Sequence, residues 1–479
     1  MTRAPETPPR SSSPVTRRWL IGGVAGLVLL GAAWAGGTLY ASGQAQETSD
    51  SFAKTLDTAL RSNKLGSVQR HVYQRGLTES TDDLYVQISG LPSSPLTGSG
   101  AGAPFVLHLR NHIQHGPLAG FQTLAQAVID SEIVWDARTQ AALDRAFGGR
   151  KPVIHTVVGL GGGTDTTVQI PAGQYAEQGV QGTWKALDGQ VHVGDNGRSL
   201  SGSLVWPSAS LGTAQASGSG GALQLSDLRY TVRQQPYLKA LSQGESSFTL
   251  ASLTLPQNLG DLQRLNVTTR TAPNGATLES RTRASLASLH AQGSTFTQMV
   301  LNLSATQFSS AALEDLIAVS QKPEYQQALQ GASGLDAQTS QALYRALQPA
   351  LSRLLGGNPR LAIDELSAQT PDGPLKVGLA AQVVDGQKID LDALTAPAQQ
   401  PGGKALGLLQ NLRLSADIEG KQQLIAGLLG SSGNSTAQQL AQSIEPLIKQ
   451  GMITRSGDLL RTHLEYSRDG ATINGKRFQ

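Results

Sequence analysis

From Val68 onward, apolar and polar residues alternate with a period of two, the spacing of a strand that buries one face. The runs Val68–Leu77, Leu84–Ile88, Phe105–Ile113, Val128–Trp135, Val153–Val158, Thr166–Ile170, Gly179–Lys185, Gln190–Val193 and Leu200–Trp206 are predicted strands. The series resumes at Leu223–Val232, Ser247–Leu255, Leu262–Thr269 and Ala276–His290. Asp188-Gly189, Asn196-Gly197 and Asn274-Gly275 suit the left-handed positions of tight hairpins. Leu91–Ala103, rich in Pro, Gly and Ser, and the small, polar Ser208–Gly221 read as loops. The pattern is that of a long antiparallel meander.

Ahead of the meander the period changes. In Gln44–Asn63, Phe52, Leu56 and Leu60 recur at i, i+4 and i+8, with Asp50, Lys54, Asp57 and Arg61 elsewhere, which predicts a helix. Trp19–Tyr40 holds no charged residue. A helix over it would be about 33 Å long, against a bilayer hydrocarbon core of about 30 Å. Trp19, Trp34 and Tyr40 fall at or near its ends, and Arg17 and Arg18 abut its start. By the positive-inside rule the N-terminus stays cytoplasmic and the rest is exported. A cleaved signal peptide is the rival reading, with Gly43 and Ala45 as a small-x-small site. The apolar region of such signals runs only about 7–15 residues, so an uncleaved anchor is expected.

The C-terminal part contains an internal repeat. TSQALYRALQPAL from Thr339 matches TAQQLAQSIEPLI from Thr436 at an offset that also carries Pro349 onto Pro446 and Asp372-Gly373 onto Asp469-Gly470. Leu301-Asn302-Leu303-Ser304-Ala305 likewise matches Leu412-Arg413-Leu414-Ser415-Ala416. Helices Ala311–Gln321 and Lys421–Leu429 follow these strands. The predicted unit is strand, helix, helix, hairpin, present twice. A weaker third copy is Thr139–Ile170, where AFGGRKPVI echoes LLGGNPRLA from Leu354. Pro349 and Pro446 each remove a backbone donor, so each helix is expected to bend or break there.

Composition narrows the function classes. The chain has 479 residues, enough for two or three domains. Its formal net charge of +3 is accounted for by residues 1–18, where Arg3, Arg10, Arg17 and Arg18 face only Glu6. The remainder is neutral, so nucleic acid is not an expected partner. The 18-residue tail, with Pro5, Pro8, Pro9 and Ser11–Ser13, is predicted to be disordered. Absence of cysteine excludes disulfides, thiolate metal sites and a cysteine nucleophile. The 54 glycines fit a chain with many turns.

Three segments carry a family resemblance. Tyr73-Gln74-Arg75-Gly76, His115-Gly116-Pro117 after a strand, and the C-terminal hairpin HLEYSRDGATINGKRF resemble the YdgA-like proteins, bacterial envelope proteins of unknown function. The resemblance runs from the apolar segment to Phe478 and rests on the order and spacing of short motifs. It implies an inner-membrane protein facing the periplasm and supplies no catalytic residue. Tyr73, Arg75, Gly76, His115, Gly116 and Pro117 are the motif positions.

No G-x-S-x-G elbow, H-E-x-x-H or G-x-x-x-x-G-K-[ST] occurs. Gly159-Leu160-Gly161-Gly162-Gly163 precedes an alternating strand where a dinucleotide loop needs a helix N-terminus, so it reads as a hairpin turn. His108, Arg110 and His112 share one strand face. His108 and His112 would lie about 13 Å apart, which suits a solvated polar face and not shared ligation. His115, on the opposite face, is expected to hydrogen-bond at the turn made by Gly116-Pro117. Glu314-Asp315 and Asp364-Glu365 read as solvated charge. No catalytic residue, cofactor or metal is expected.

The expected fold class is α+β: a long, mostly antiparallel twisted β-sheet with packed helices, plus one N-terminal transmembrane helix. The expected segments are 1–18 tail, 19–40 anchor, 41–298 juxtamembrane helix and meander, and 299–479 duplicated region. The expected function is a non-enzymatic structural or interaction module of the cell envelope. A carrier or sensor of lipid-like ligands in a sheet/helix groove is the alternative. Leu343, Leu347, Leu351, Leu440, Ile444 and Ile448, on two helical stripes, are the expected groove residues. The expected partners are the inner membrane, a lipid, and a second copy or another envelope protein.

Overall fold

The computed structural model describes residues 66–88, 105–119, 123–135, 137–177, 180–194, 197–213, 222–256, 259–291, 293–322, 337–389, 410–422 and 444–477, several positions within 50–61, and residues 325, 391 and 424. The chain divides into two compact units, Met1–Gln224 and Leu225–Gln479. The boundary expected at 298/299 falls inside a strand, Ser294–Ser309.

The first unit is an antiparallel meander with one reordered end. Strands β1 (Gly66–Gln74), β2 (Glu79–Ile88) and β3 (Phe105–His115) pair in sequence. After the small hairpin β4 (Leu118–Ala119) and β5 (Thr123–Leu124), β6 (Ala127–Val134) pairs with β3. Helix α1 (Ala137–Phe147) leads to β7 (Val153–Val158), which joins β6 to β8 (Thr164–Ile170). β9 (Gly173–Glu177), β10 (Val180–Trp184), β11 (Leu187–Gly194) and β12 (Ser199–Thr213) complete it. The 15-residue β12 is long enough to pair with β11 through Ser199–Val205 and with β10 through Ala209–Thr213. Helical residues within 50–61 press Ala53, Leu56 and Leu60 onto Leu84, Val86, Ile88, Leu107 and Leu109. Leu56 and Leu60 belong to the apolar stripe read from the sequence, whose third member, Phe52, lies outside the described residues.

The second unit starts at β13 (Ala222–Pro236), whose first residues overlap the boundary. From β14 (Ser242–Leu255), each strand pairs antiparallel with the next: β15 (Gly260–Asn274), β16 (Thr277–Ala291), β17 (Ser294–Ser309), β18 (Arg360–Thr370), β19 (Gly373–Val383) and β20 (Leu412–Lys421). β21 (Thr454–Ser456) and β20 both pair with β22 (Leu459–Ser467), which is followed by β23 (Gly470–Ile473) and β24 (Lys476–Arg477). The duplicated region is therefore β17–β18–β19 and β20–β22–β23, joined edge to edge by the β19–β20 ladder. Matching turns close the two hairpins, with Thr370 opposite Gly373 and Ser467 opposite Gly470. Both glycines hold positive φ, 125° and 107°, where a side chain would be strained.

Helices interrupt this sheet at strand ends. α2 (Ser310–Ser320) begins directly after β17, with Ser309 Oγ accepting from Ala312 N, and packs on α3 (Ala337–Gly356), which ends just before β18. In the second copy, helical residues 444–449 lie before β22, and Ile444 packs with Ile453, Leu460, Ile418, Leu447 and Ile448. The third copy has the same order of parts, because α1, Gly148-Gly149 at positive φ, β7 and β8 follow one another as α3, β18 and β19 do.

These observations correct the expected fold class. Among the described residues, 24 strands accompany three bounded α-helices, the helical stretches within 50–61 and 444–449, and one 3-10 turn, so the fold is mostly antiparallel sheet and not an α+β layer of packed helices. The physical reason is that the helical stripes are short and meet strand ends, whereas alternation runs through nearly every other segment. The tail 1–18, the anchor 19–40, the loop 91–103, most of helix 421–429 and Leu440 lie outside the described residues. No described helix is long and apolar enough to cross a membrane, so the N-terminal transmembrane helix is not part of the fold supported here. Pro349 does lie inside α3, which continues past it to Gly356.

Leu460 is fully buried. Leu460→Ala is expected to lower unfolding stability by about 2–5 kcal/mol, read by urea denaturation. A loss under about 1 kcal/mol would mean that helix 444–449 does not seal this end of the sheet.

Candidate functional site: an apolar trough on the second unit

Residues opposite one another in antiparallel strands share a face, so the register fixes which side chains meet. One row across the duplicated region runs Leu303, Ile363, Leu379, Ala416, Leu464 and Ile473. The adjacent row runs Ala305, Leu361, Ala381, Leu414, Tyr466 and Ala471. These twelve positions line a trough of about 820 Å³ that crosses six strands. At the usual strand spacing it spans about 24 Å. Its volume lies within the range of small-molecule sites.

Nothing described covers the trough. Leu361 is 57% exposed and Leu379 43%, and Leu303, Leu414 and Leu464 are each more than a third exposed. Antiparallel sheets ordinarily turn their apolar face to a core and their polar face to water. Here the intervening positions carry the charge. Arg413 meets Glu465 at 3.3 Å, Arg461 meets Glu419 at 3.0 Å, and His463 meets Asp417 at 2.7 Å. These are cross-strand pairs on the opposite face.

A bulge keeps the apolar face in register. Between β18 and β19, Ile363 faces Leu379 and Leu366 faces Val377, so Asp364 and Glu365 together oppose Gly378. Both carboxylates are engaged: Arg360 reaches Asp364 at 3.1 Å, and Asn302 Nδ2 donates to Glu365 at 3.1 Å. Burial raises the Asp364 pKa, but hydrogen bonds from Ser304 and Arg360 outweigh it and hold the carboxyl below its ordinary value. The expected solvated pair is a built bulge. In the other adjacent pair, Glu314 accepts from Ala240 N at 3.0 Å and Asp315 pairs with Arg353.

The helical positions expected to line a groove lie elsewhere. Leu343 and Ile444 are buried, Ile448 packs against the Ile444 cluster, and Leu347 and Leu351 are half-buried in α3. None of them lines the trough. Leu440 falls outside the described residues. The strand repeat Leu301–Ala305 against Leu412–Ala416 carried the better signal, because Leu303 and Leu414, with Ala305 and Ala416, all line it.

The motif residues form a second cluster, in the first unit. Ser80 Oγ lies 2.7 Å from His115 Nε2 and accepts from Gly76 N at 3.2 Å. His115 N donates to Thr78 O, and Gly116 N donates to Gln126 O at 2.7 Å. The peptide Gly116-Pro117 is cis. A Cβ on Gly76 would lie 1.9 Å from Glu79 O, and one on Gly116 1.6 Å from Ala125 O, so both positions require glycine. Tyr73 packs against Ile113, Ala127, Ile129 and Val158. Burial, assisted by the Arg75 charge, pushes the His115 pKa down. His115 thus clamps the β1–β2 turn to the end of β3 through Ser80, a buried residue that sequence reasoning missed.

The other histidines pair with carboxylates. His71 Nε2 lies 2.8 Å from the buried Asp82, whose hydrogen bond raises the His71 pKa against the opposing effect of burial. His108 lies 2.5 Å from Asp83 and stacks on Tyr85 at 4.1 Å, so it is covered, where a solvated face was expected. Arg110 shares Asp83 at 2.8 Å, and His112 lies 3.5 Å from Glu132. Burial raises the Asp83 pKa, but the bonds from His108 and Arg110 bring it below its ordinary value. Gly159–Gly163 closes the β7–β8 hairpin, with Gly159 N donating to Gly163 O at 2.8 Å. Among the described residues, no three His, Asp or Glu side chains converge as metal ligands.

A family model described as "Bacterial protein of unknown function (DUF945)" matches residues 18–479. The chain belongs to this family. No curated protein and no solved structure matches it. In this DUF945 member, the motif cluster serves strand architecture, and no described element packs over the trough.

The two shifted histidines give opposite pH signs. His115, with a lowered folded pKa, stabilises above the unfolded value of about 6.5 and loses that contribution as pH falls through the folded value. His71, with a raised folded pKa, stabilises below about 6.5 and loses that contribution as pH rises through the folded value. Urea midpoints between pH 5 and 8 should therefore lose their acid-side decline in His115→Gln and their alkaline-side decline in His71→Gln. Unchanged profiles in both variants would contradict these environments.

Proposed function

We propose that this DUF945 protein binds lipid-like apolar ligands, carrying or sensing them without catalysis, in the trough across β17–β23. The observation that supports it is five leucines in two adjacent rows, each more than a third exposed, on a face that no described element covers. Fully burying one leucine side chain gains roughly 1.5–3 kcal/mol, so an acyl chain laid over five of them has a substantial driving force. Large exposed apolar patches on soluble domains usually mark a binding surface. The volume of about 820 Å³ falls in the small-molecule size range.

The setting is part of the same proposal. The likeness to YdgA-like envelope proteins and the uncharged run at 19–40 both speak for work at the inner membrane, on its periplasmic side. An interaction module of the envelope, burying the same face against a second copy or another protein, is the competing reading.

The test uses the purified chain and a fluorescent acyl probe. Leu361→Asp and Leu414→Asp place a charge in the trough at exposed positions, where the fold should tolerate it. Each is expected to weaken probe binding at least tenfold while the unfolding free energy from urea denaturation stays within about 0.5 kcal/mol of the parent. No binding by the parent chain, or equal binding by both variants, would count against the reading. A concentration-dependent dimer abolished by the same variants would favour the interaction module.

A further inference from the structure

The apolar rows do not continue unchanged across the sheet. Beyond Leu303 and Ala305, the same two rows meet Thr282 and Ser280 on β16, and then Thr269 and Thr271 on β15. Thr269 Oγ1 and Thr282 Oγ1 lie 3.0 Å apart, and Thr271 Oγ1 and Ser280 Oγ 3.2 Å apart. A hydroxyl has one hydrogen to donate, so each pair uses one donor internally and leaves one free, along with unused lone pairs. Ser280 and Thr282 also line the trough. Two hydroxyls therefore line one end of the trough, and two more stand beside them on β15.

Among the described residues, the trough lining also carries no positive charge. It includes no Lys, Arg or His, and the one acidic residue in it, Glu465, turns its side chain to the opposite face, where Arg413 meets it. The arginines nearest the hydroxyls, Arg270, Arg281 and Arg283, alternate with them and so point to the other face. An ionised head group would lose water here with no counter-charge in reach, whereas hydroxyls would exchange one set of hydrogen bonds for another.

We propose that the trough selects an uncharged amphiphile, with a hydroxyl-bearing head group over Thr269, Thr271, Ser280 and Thr282 and its hydrocarbon chain laid across β17–β23. This rests on the reading of the trough as an acyl-binding site and adds the chemical class of the ligand. The two fail differently. Binding of 1-monolauroylglycerol and of laurate to the purified full chain is measured by calorimetry, each below its critical micelle concentration. The glyceride is expected to bind at least tenfold tighter at pH 7. Replacing Thr282 by the isosteric valine (Thr282→Val), or Ser280→Ala, should cost the glyceride about fivefold, the worth of one hydrogen bond, and leave laurate unchanged. Laurate binding as tightly as the glyceride, or both variants binding the glyceride like the parent, would overturn the head-group assignment while leaving an apolar site in place. Binding of neither probe would remove the acyl site itself, and the assignment with it.

Discussion

The second unit depends on strand register. Because side chains alternate with a period of two, a one-residue slip between any two of its strands would turn leucines outward and carboxylates inward. The ladders from β16 to β19 carry register shifts, at Leu278/Ser280, Thr297/Val300 and Asn302/Leu303, and the Asp364-Glu365 bulge of β18 absorbs its extra residue so that the apolar rows stay aligned. The ion pairs of Arg360 and Lys376 and the hydrogen bond from Asn302 sit beside that bulge and fix it from the polar face. The charged face thus does more than solvate the sheet. It pins the alignment on which the apolar rows rely.

Much of this architecture was legible locally. Strands with apolar alternation were readable within a few residues, as were the duplicated Asp-Gly turns, since turn chemistry and period are short-range signals. Glu79–Asp83 was not, because its alternation is polar. Asp82 and Asp83 are inward for their partners, His71 and Asn111 on one side and His108 and Arg110 on the other. Such pairs become visible only when distant strands are aligned.

The site was legible in pieces. The helical stripes at Leu343 and Ile444 are genuine apolar stripes, but they seal the ends of the sheet as ordinary core. The trough leucines each lie on a different strand, and only the repeat hinted that Leu303 and Leu414 hold equivalent places. Sequence pattern reports what one element buries. It does not report which face of a sheet lacks a cover, because that depends on where every connecting helix goes.

The destination of those helices follows from parity. Each copy of the repeat contributes three strands to an antiparallel sheet, and three is odd. The first strand of one copy, β17, therefore runs opposite to the first strand of the next, β20. A connection that follows the first strand therefore leaves from opposite ends of the sheet in successive copies. With three, each further copy would lengthen the bare channel by about 14 Å and change nothing else about its cross-section.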